Sequence, residues 1–232
     1  MIGILGGMGT QAGLDFCNKL AVINRGKIDQ NYPLFILYNK SNIPNRPQNL
    51  KKYQNVLKSL AKGCKLLERN KCKFIVMPCN TAHYWYDDLK KRVKIPILSM
   101  PKEVFIHTKK ICKKKSRIGL LGTEATIKTN IYGKYFSQYY NLIIPNKILQ
   151  RRNVNKAIKF VKMGKVKNAE KILRPAVNYL IKKKCKKIIL GCTELPVAIF
   201  AYKSFKKIKE SKIFIDPNLI LAEVCKSKYK SI

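Results

Sequence analysis

Short apolar runs alternate with longer amphipathic runs along the chain. Residues 1–5, 34–38 and 74–77 are almost wholly apolar and predict buried strands. Between them, residues 11–25 and 50–70 place apolar side chains at helical spacing, which predicts helices with one buried face. An alternation of this kind is typical of an α/β protein with a parallel sheet and helices on both faces.

The same alternation continues to the end of the chain. The pattern predicts further strands at residues 95–98, 117–121, 187–190 and 213–215, and further helices at residues 81–92, 127–140, 153–163, 166–183, 194–202 and 217–225. No run of about 18 apolar residues occurs, so no transmembrane helix is predicted.

The two halves of the chain resemble each other. Residues 2–6 align with residues 118–122 at an offset of 116, and Cys79 aligns with Cys192 at an offset of 113. Two strand-to-turn matches at nearly one offset indicate an internal duplication. We therefore expect two similar, pseudo-symmetric parallel-sheet α/β domains, residues 1–99 plus 209–232 and residues 100–208, with the active site in the cleft between them.

The charge is unusual for a chain of 232 residues. There are 49 Lys and Arg against 12 Asp and Glu, a formal net charge of +37. One interpretation is a protein that binds nucleic acid or an anionic membrane. The other is a lysine-rich surface without a nucleic-acid function, which the even spread of lysines favours. Nonspecific DNA binding at low salt is expected in either case.

The cysteine pattern argues against a structural metal or disulfide framework. The eight cysteines include no Cys-x-x-Cys pair, and there are only two histidines, so zinc-site spacing is missing. The N-terminus has no basic region before an apolar run, and a cytoplasmic protein with reduced thiols is predicted.

Cys79 and Cys192 occupy equivalent places, each between a predicted strand and a predicted helix. Ligands bind at the carboxyl ends of parallel strands, and a helix N-terminus lowers the pKa of a thiol. Either cysteine alone is explained as a core residue. As a pair from two domains, they are suited to removing a proton from one face of a carbon and delivering another to the opposite face, one thiolate and one thiol.

Other candidate residues have two interpretations each. The cluster Gly6-Gly7-Met8-Gly9 departs from dinucleotide-binding spacing and fits a tight turn that approaches a carboxylate. Arg46, between Pro44 and Pro47, is either a carboxylate ligand or an ordinary surface arginine. His83 is either a helix-face residue or a hydrogen-bond donor behind the site.

Four motifs together resemble the aspartate/glutamate racemase superfamily. They are Gly3-Ile4-Leu5-Gly6-Gly7-Met8-Gly9, Ile43-Pro44-Asn45-Arg46, Met77-Pro78-Cys79-Asn80-Thr81-Ala82-His83 and Leu190-Gly191-Cys192-Thr193-Glu194-Leu195-Pro196. Glutamate racemases typically open with Asp-Ser-Gly and carry Thr-His-Tyr after the second cysteine. The glycine run and Thr193-Glu194-Leu195 are similar to the aspartate racemase branch instead. Departures from the family pattern are Thr10, Gly122 and Ala125.

The resemblance implies an aspartate racemase, with glutamate as a further substrate, that needs no pyridoxal phosphate. Proton transfer of this kind needs no metal or other cofactor, and the sequence shows no evident site for either. Cys79 and Cys192 would be the catalytic acid and base, and Arg46 and Lys162 would bind the carboxylates of a small dicarboxylic amino acid. The resemblance also implies a homodimer and a pocket lined by further side chains, namely Met8, Asn80, Thr81, Thr123, Thr126 and Thr193.

Two other functions stay open from the residues alone. One is a superfamily isomerase or decarboxylase that acts on another small carboxylate. The other is a non-catalytic protein that binds anions or nucleic acid through its basic surface.

Overall fold

A computed structural model describes residues 1–25, 28–200 and 212–230. The chain forms two compact units, Met1–Glu103 with Asn218–Ile232, and Val104–Pro217. The predicted domain boundary between residues 208 and 209 lies outside the described residues, as does the end of the helix predicted at residues 194–202.

The first unit contains a parallel sheet of three strands in the order β2-β1-β3. Its strands are β1 (Ile2–Gly6), β2 (Phe35–Asn39) and β3 (Phe74–Val76), and its helices are α1 (Thr10–Ile23), α2 (Tyr53–Arg69) and α3 (Tyr86–Lys90). Single 3-10 turns lie at Asp29–Asn31, Pro47–Asn49 and Thr81–Trp85. Helix α4 (Met100–Ile111) follows and carries the chain from the first unit into the second.

The second unit contains a parallel sheet of four strands in the order β5-β4-β6-β7. The strands are β4 (Arg117–Gly122), β5 (Asn141–Ile143), β6 (Lys187–Gly191) and β7 (Phe214–Ile215). The helices are α5 (Glu124–Lys128), α6 (Gly133–Phe136), α7 (Lys147–Leu149), α8 (Lys156–Lys162), α9 (Val166–Lys182) and α10 (Glu194–Phe200), with a π-helical turn at Gln150–Asn155. The last helix, α11 (Pro217–Lys230), follows β7.

The strand register confirms the duplication expected from the sequence. Gly3 pairs with Ile75 in the first sheet, and Gly119 pairs with Ile188 in the second. These pairs reproduce both offsets of the sequence alignment, 116 between the glycines and 113 between the isoleucines. The α/β class and the two similar parallel sheets are therefore confirmed, and each cysteine motif follows the equivalent strand.

The last strand belongs to a different sheet from the one predicted. Its pairing with β6, through Ile188 with Phe214 and Ile189 with Ile215, places β7 in the second sheet, whereas the predicted division assigned it to the first domain. Only α11 returns to the first unit, where the Asn218 amide donates to the carbonyl oxygen of Ala12 at 3.3 Å. A two-residue strand carries too little pattern to indicate which sheet it joins.

The helix predicted at residues 127–140 is interrupted. Asn130 has a φ of 51°, a left-handed conformation that ends α5, and α6 begins at Gly133. The strand predicted at residues 95–98 is a single bridge between Ile97 and Ile75. Strand β5 and helix α4 were not predicted.

Each unit has its own apolar core. In the first, α2 buries Val56, Leu60 and Cys64, and Gly63 lets the helix lie close to Leu5 of β1. In the second, α9 buries an equivalent face against β4 and β6. Over the described ranges, no helix has both the length and the apolar content to cross a membrane.

Candidate active site

Cys79 lies at the carboxyl end of β3, in the segment that leads to the turn Thr81–Trp85. Its side chain is buried in the same apolar cluster as Met8 and Ile43. Its backbone N–H donates to the carbonyl oxygen of Met77 at 2.7 Å, which closes a tight turn directly after the strand. Asn80 and Thr81 follow and are also buried, so this motif lies inside the protein at the carboxyl end of the sheet rather than in an exposed loop.

His83 holds the Cys79 peptide in place. Its Nδ1 lies 2.9 Å from the carbonyl oxygen of Cys79, and its Nε2 accepts a hydrogen bond from the Met100 N–H at 3.0 Å. Because Nε2 is an acceptor, Nδ1 carries the proton and donates to Cys79. Burial lowers the pKa of His83, which keeps the ring neutral. Of the two interpretations of His83, the structure supports the hydrogen-bond donor behind the site.

Arg46 is buried, which excludes the interpretation as an ordinary surface arginine. Its Nη2 donates to the carbonyl oxygen of Met8 at 2.6 Å, and its Nη1 donates to the carbonyl oxygens of Ile43 and Pro44, both at 3.1 Å. The structure thus brings two predicted residues together, Arg46 and Met8. Within the described residues, the buried Nε–H of Arg46 has no hydrogen-bond partner.

Gly7 makes the turn that places Met8. It has a φ of +83°, and a Cβ at this position would lie 2.2 Å from the carbonyl carbon of Lys40. Only glycine fits such a close approach between the β1–α1 loop and the chain after β2. The glycine run is therefore a tight turn beside Arg46, as its spacing indicated.

Cys192 lies at the carboxyl end of β6, in the place equivalent to Cys79. Its buried thiol donates to Oε2 of Glu194 at 2.9 Å, and the Thr193 hydroxyl donates to the same oxygen at 3.3 Å. Lys162 Nζ lies 3.6 Å from Oε1 of Glu194. Three predicted residues, Cys192, Thr193 and Lys162, therefore meet around one carboxylate.

Glu194 contacts three of the predicted residues but was not itself predicted as a site residue. The residue is 8% exposed, although it is the first residue of helix α10. The sequence does not show whether an acid beside a cysteine is buried, and only a buried acid acts strongly on the thiol. The chain has just 12 acidic residues, so an acid in this motif was a detectable departure from the lysine-rich background.

The thiol of Cys192 has a higher pKa than the sequence predicted. A helix N-terminus was expected to lower it, but burial and the adjacent Glu194 carboxylate raise it well above its ordinary value. Helix α10 has only seven residues, and its first residue carries the negative charge that acts on the thiol. Cys192 therefore rests as a thiol.

Thr123 and Thr126 cap helix α5. The Thr126 N–H donates to the Thr123 hydroxyl oxygen at 3.0 Å, and the two hydroxyls lie 3.0 Å apart. Gly122 precedes them, and its carbonyl oxygen accepts from the Gln150 amide at 2.8 Å. A nearby cavity of about 590 Å³ contains none of the predicted site residues and is lined by Glu124, Ile127, Lys128, Ile144, Pro145, Lys147, Gln150 and Arg151.

Each of the two cysteine motifs follows one of the duplicated strands. A comparison with known families agrees with this arrangement. The model of the Asp/Glu/hydantoin racemase family matches residues 5–225. The chain belongs to this family. Membership supports an amino-acid racemase activity for this family member.

Several individual relatives align with nearly the full length of this chain. A broad-specificity amino-acid racemase, RacX of Bacillus subtilis, is 27% identical over 99% of this chain and 98% of its own. Among solved structures, the Picrophilus torridus aspartate racemase has a TM-score of 0.84 at 30% identity, covering 99% of this chain and 94% of its own. An aspartate racemase homologue from Pyrococcus horikoshii has a TM-score of 0.79 at 27% identity, covering 99% and 98%.

Proposed function

We propose that this protein interconverts L- and D-aspartate without pyridoxal phosphate, with Cys79 and Cys192 as its two acid–base groups. The observation that carries the proposal is the equivalence of the two thiols. Each lies four residues beyond a registered strand position, Ile75 or Ile188, at the carboxyl end of its sheet. A duplicated fold with a buried thiol at the equivalent position of each copy supplies the two groups that racemisation needs.

The reaction moves two protons and changes no oxidation state. A thiolate removes the α-proton from one face of the substrate, the electron pair stays on the α-carbon and its carboxylate, and a thiol delivers a proton to the opposite face. The resting thiol of Cys192 fits the proton donor, so we assign the first thiolate to Cys79. The roles exchange when the other enantiomer is the substrate.

Two cations support a dicarboxylic substrate. In this proposal the Arg46 guanidinium pairs with one carboxylate, and Lys162, whose side chain is 47% exposed, pairs with the other. Met8, Asn80, Thr81, Thr123, Thr126 and Thr193 complete the proposed pocket. The likeness to an aspartate racemase at 30% identity supports aspartate as the substrate.

A second candidate is a racemase of broad specificity, which the relative of that description favours. A related isomerase or decarboxylase acting on another small carboxylate is the remaining enzymatic alternative. Substrate profiling separates these functions. The broad racemase inverts neutral amino acids as well as aspartate, and the decarboxylase releases carbon dioxide.

The proposal includes a homodimer that works in the cytoplasm, as the resemblance and the reduced thiols indicate. Sedimentation equilibrium at several protein concentrations tests the dimer. A mass of one chain at micromolar concentration would contradict it.

The first test is solvent exchange at the α-carbon. The protein is incubated with L-aspartate in D₂O without added cofactor, the α-proton signal is followed by NMR, and the enantiomers are separated by chiral chromatography. We expect loss of the α-proton signal together with formation of D-aspartate. Aspartate that keeps its α-proton and its configuration would contradict the proposal.

Single-cysteine variants test the two-base mechanism. Cys79→Ala and Cys192→Ala should each reduce racemisation by at least about 100-fold, because the loss of one acid–base group removes a contribution of that size. Each variant should still exchange the α-proton of the one enantiomer that faces its remaining thiol. Matched controls are the buried Cys72→Ala in the first unit and Cys185→Ala in the second, which should retain activity. Full racemisation by Cys192→Ala would eliminate the two-base form.

A further inference from the structure

The Cys192 thiol and the Glu194 carboxylate form a buried pair. The S–H group donates to Oε2 at 2.9 Å, and as whole residues Cys192 and Glu194 are 7% and 8% exposed. The Thr193 hydroxyl donates to the same oxygen, which fixes the orientation of the carboxylate. A thiol–carboxylate contact in a site closed to bulk water allows a proton to move between sulfur and oxygen.

The other oxygen of this carboxylate faces a cation that reaches solvent. Lys162 Nζ lies 3.6 Å from Oε1, and its side chain is half exposed. One carboxylate therefore connects a buried thiol at one end to a solvent-exposed ammonium at the other. The first unit differs, because the hydrogen bonds described around Cys79 involve backbone carbonyls and His83 instead of an acid.

We propose that Glu194 is the positioning residue of Cys192, which holds it as a thiol and exchanges its proton with solvent beside Lys162. This inference rests on the proposed racemase function and adds an assignment to it. Glu194 acts through Cys192 and does not touch the substrate. It also makes the two thiols unequal, since no acid takes part in the hydrogen bonds described around Cys79.

In the reaction direction in which Cys192 acts as the base, every proton can be accounted for. The S–H bond of Cys192 breaks, its proton forms an O–H bond on Oε2 of Glu194, and the electron pair remains on sulfur. The thiolate then takes the α-proton, while the Cys79 thiol gives its proton to the opposite face. Glu194 then releases the proton from Oε2 to water, which restores the negative charge that faces Lys162. In the resting protein Cys79 is the thiolate, so it takes its proton from water before this reaction and is a thiolate again after it.

The charged and titratable groups that act on Cys192 come from three elements. Glu194 at the start of α10 raises the pKa of its thiol, and Lys162 at the end of α8 lowers it. Tyr132, buried beside α6, and Cys192 also interact, with Asp216 acting on the tyrosine. Burial holds the pKa of Tyr132 well above its ordinary value, so the phenol stays neutral and Glu194 is the group whose removal changes Cys192 most.

The decisive variant is Glu194→Gln, which keeps the shape and an S–H acceptor but carries no charge and takes up no proton. The pKa of Cys192 is measured from the pH dependence of thiolate ultraviolet absorbance, as the difference between each protein and its Cys192→Ala version. We expect the pKa to fall by about one unit or more, because a neighbouring negative charge has been removed. An unchanged pKa would overturn the proposal.

Kinetics give the second measurement. The kcat/KM of Glu194→Gln should fall at least about tenfold, and equally for both enantiomers because their free energies are equal. Glu194→Asp, which keeps the charge at a shorter reach, should retain a higher pKa of Cys192 and more activity than Glu194→Gln. Unchanged kcat/KM in a folded Glu194→Gln protein would overturn the role in proton exchange.

A matched control is Glu170→Gln, which removes another buried acid of the second unit. Glu170 lies 3.8 Å from Arg174 within α9 and is not part of the site. It should leave the Cys192 titration and the kinetics unchanged, and a shift as large as that of Glu194→Gln would overturn the assignment. If the wild-type protein racemises nothing, the racemase proposal fails, while the titration still supports or overturns the pairing of Glu194 with Cys192.

Discussion

The two ring nitrogens of His83 make one hydrogen bond each, and these bonds hold the candidate catalytic residue Cys79 in place and stabilise the first unit. The ring joins the Cys79 carbonyl to the first turn of α4. Both ring nitrogens are used, and a buried charge would have no compensating acid among these contacts. His83 is therefore stable only as the neutral tautomer with the proton on Nδ1.

A pH-dependent stability follows from this arrangement. Burial lowers the pKa of His83 below the value of 6.5 that it has in the unfolded chain, so below that pH the unfolded state binds a proton more readily. The contribution is complete above pH 6.5 and is lost as the pH falls, by up to about 1.4 kcal/mol per pH unit. Urea unfolding at about pH 7.5 and about pH 5.5 measures it.

His83→Asn should remove this dependence, because the amide still donates near Cys79 but does not titrate. The variant should also be less stable at neutral pH, by about 1–3 kcal/mol, since the Met100 N–H loses its acceptor. The control is His107→Asn, at the other histidine, on α4. A wild-type pH dependence that persists in His83→Asn would show that other groups cause it.

The candidate site residues differ in how much of their proposed role could be predicted from the sequence. Cys79 and Cys192 were found because they repeat at one offset, and a repeat is visible in a single sequence. Arg46 had two interpretations, and only its burial against the Met8 carbonyl distinguishes them. Glu194 was missed because a buried carboxylate and an exposed one look alike in sequence.

At the level of elements, the loop after β1 depends on a single backbone conformation. Gly7 has a φ of +83°, and an added Cβ would meet backbone atoms of Lys40 and Ser41 within 2.5 Å. Gly164, between α8 and α9, has a φ of +75°, but no atom lies within 4 Å of its Cβ position. Both glycines have a left-handed backbone, but only Gly7 has neighbouring atoms that a Cβ would meet. Comparing the two therefore distinguishes the effect of backbone strain from that of a steric clash.

Gly7→Ala should therefore destabilise the protein far more than Gly164→Ala. The left-handed conformation alone costs about 1–2 kcal/mol for alanine, which is the whole expected effect at Gly164. At Gly7 the Cβ must also displace the segment after β2, and the loss should exceed about 3 kcal/mol. Because Met8 follows Gly7, KM for aspartate should rise as well. Equal losses in denaturant unfolding of the two variants would contradict the clash.

Elements with strong periodicity were predicted well, and those decided by tertiary contacts were not. The amphipathic α2 and α9 lie where their apolar spacing placed them. The helix predicted at residues 127–140 is broken at Asn130, because one left-handed residue interrupts a pattern without changing its periodicity. Strand β5 was not predicted, and the two-residue β7 was predicted but assigned to the wrong sheet, because its place depends on the neighbouring strand β6.

At the scale of the whole molecule, the net charge of +37 comes from lysines and arginines spread along the whole sequence. Twelve acidic residues cannot neutralise 49 basic ones, so most cationic side chains have no acid to pair with. A field of this kind attracts any polyanion and any dianionic substrate. The racemase proposal and the nucleic-acid alternative make different claims about what the charge does.

Salt distinguishes the two. We expect DNA binding that is independent of sequence and falls by about 1,000-fold or more between about 50 and 200 mM salt, as counterion release dictates. KM for aspartate should rise over the same range while kcat stays constant, because the exposed charges are screened within about 10 Å at 0.1 M. Fluorescence anisotropy with unrelated duplexes of equal length, and initial rates in matched buffers, measure both effects.

The Cys79→Ala, Cys192→Ala double variant is the control for this comparison. It should bind DNA as the wild type does, since neither thiol contributes to the surface charge, and it should have no racemase activity. DNA binding that discriminates between sequences and survives about 0.5 M salt would require contacts to base edges. In that case the charge would have a recognition function of its own, and catalysis would no longer account for the composition of the chain.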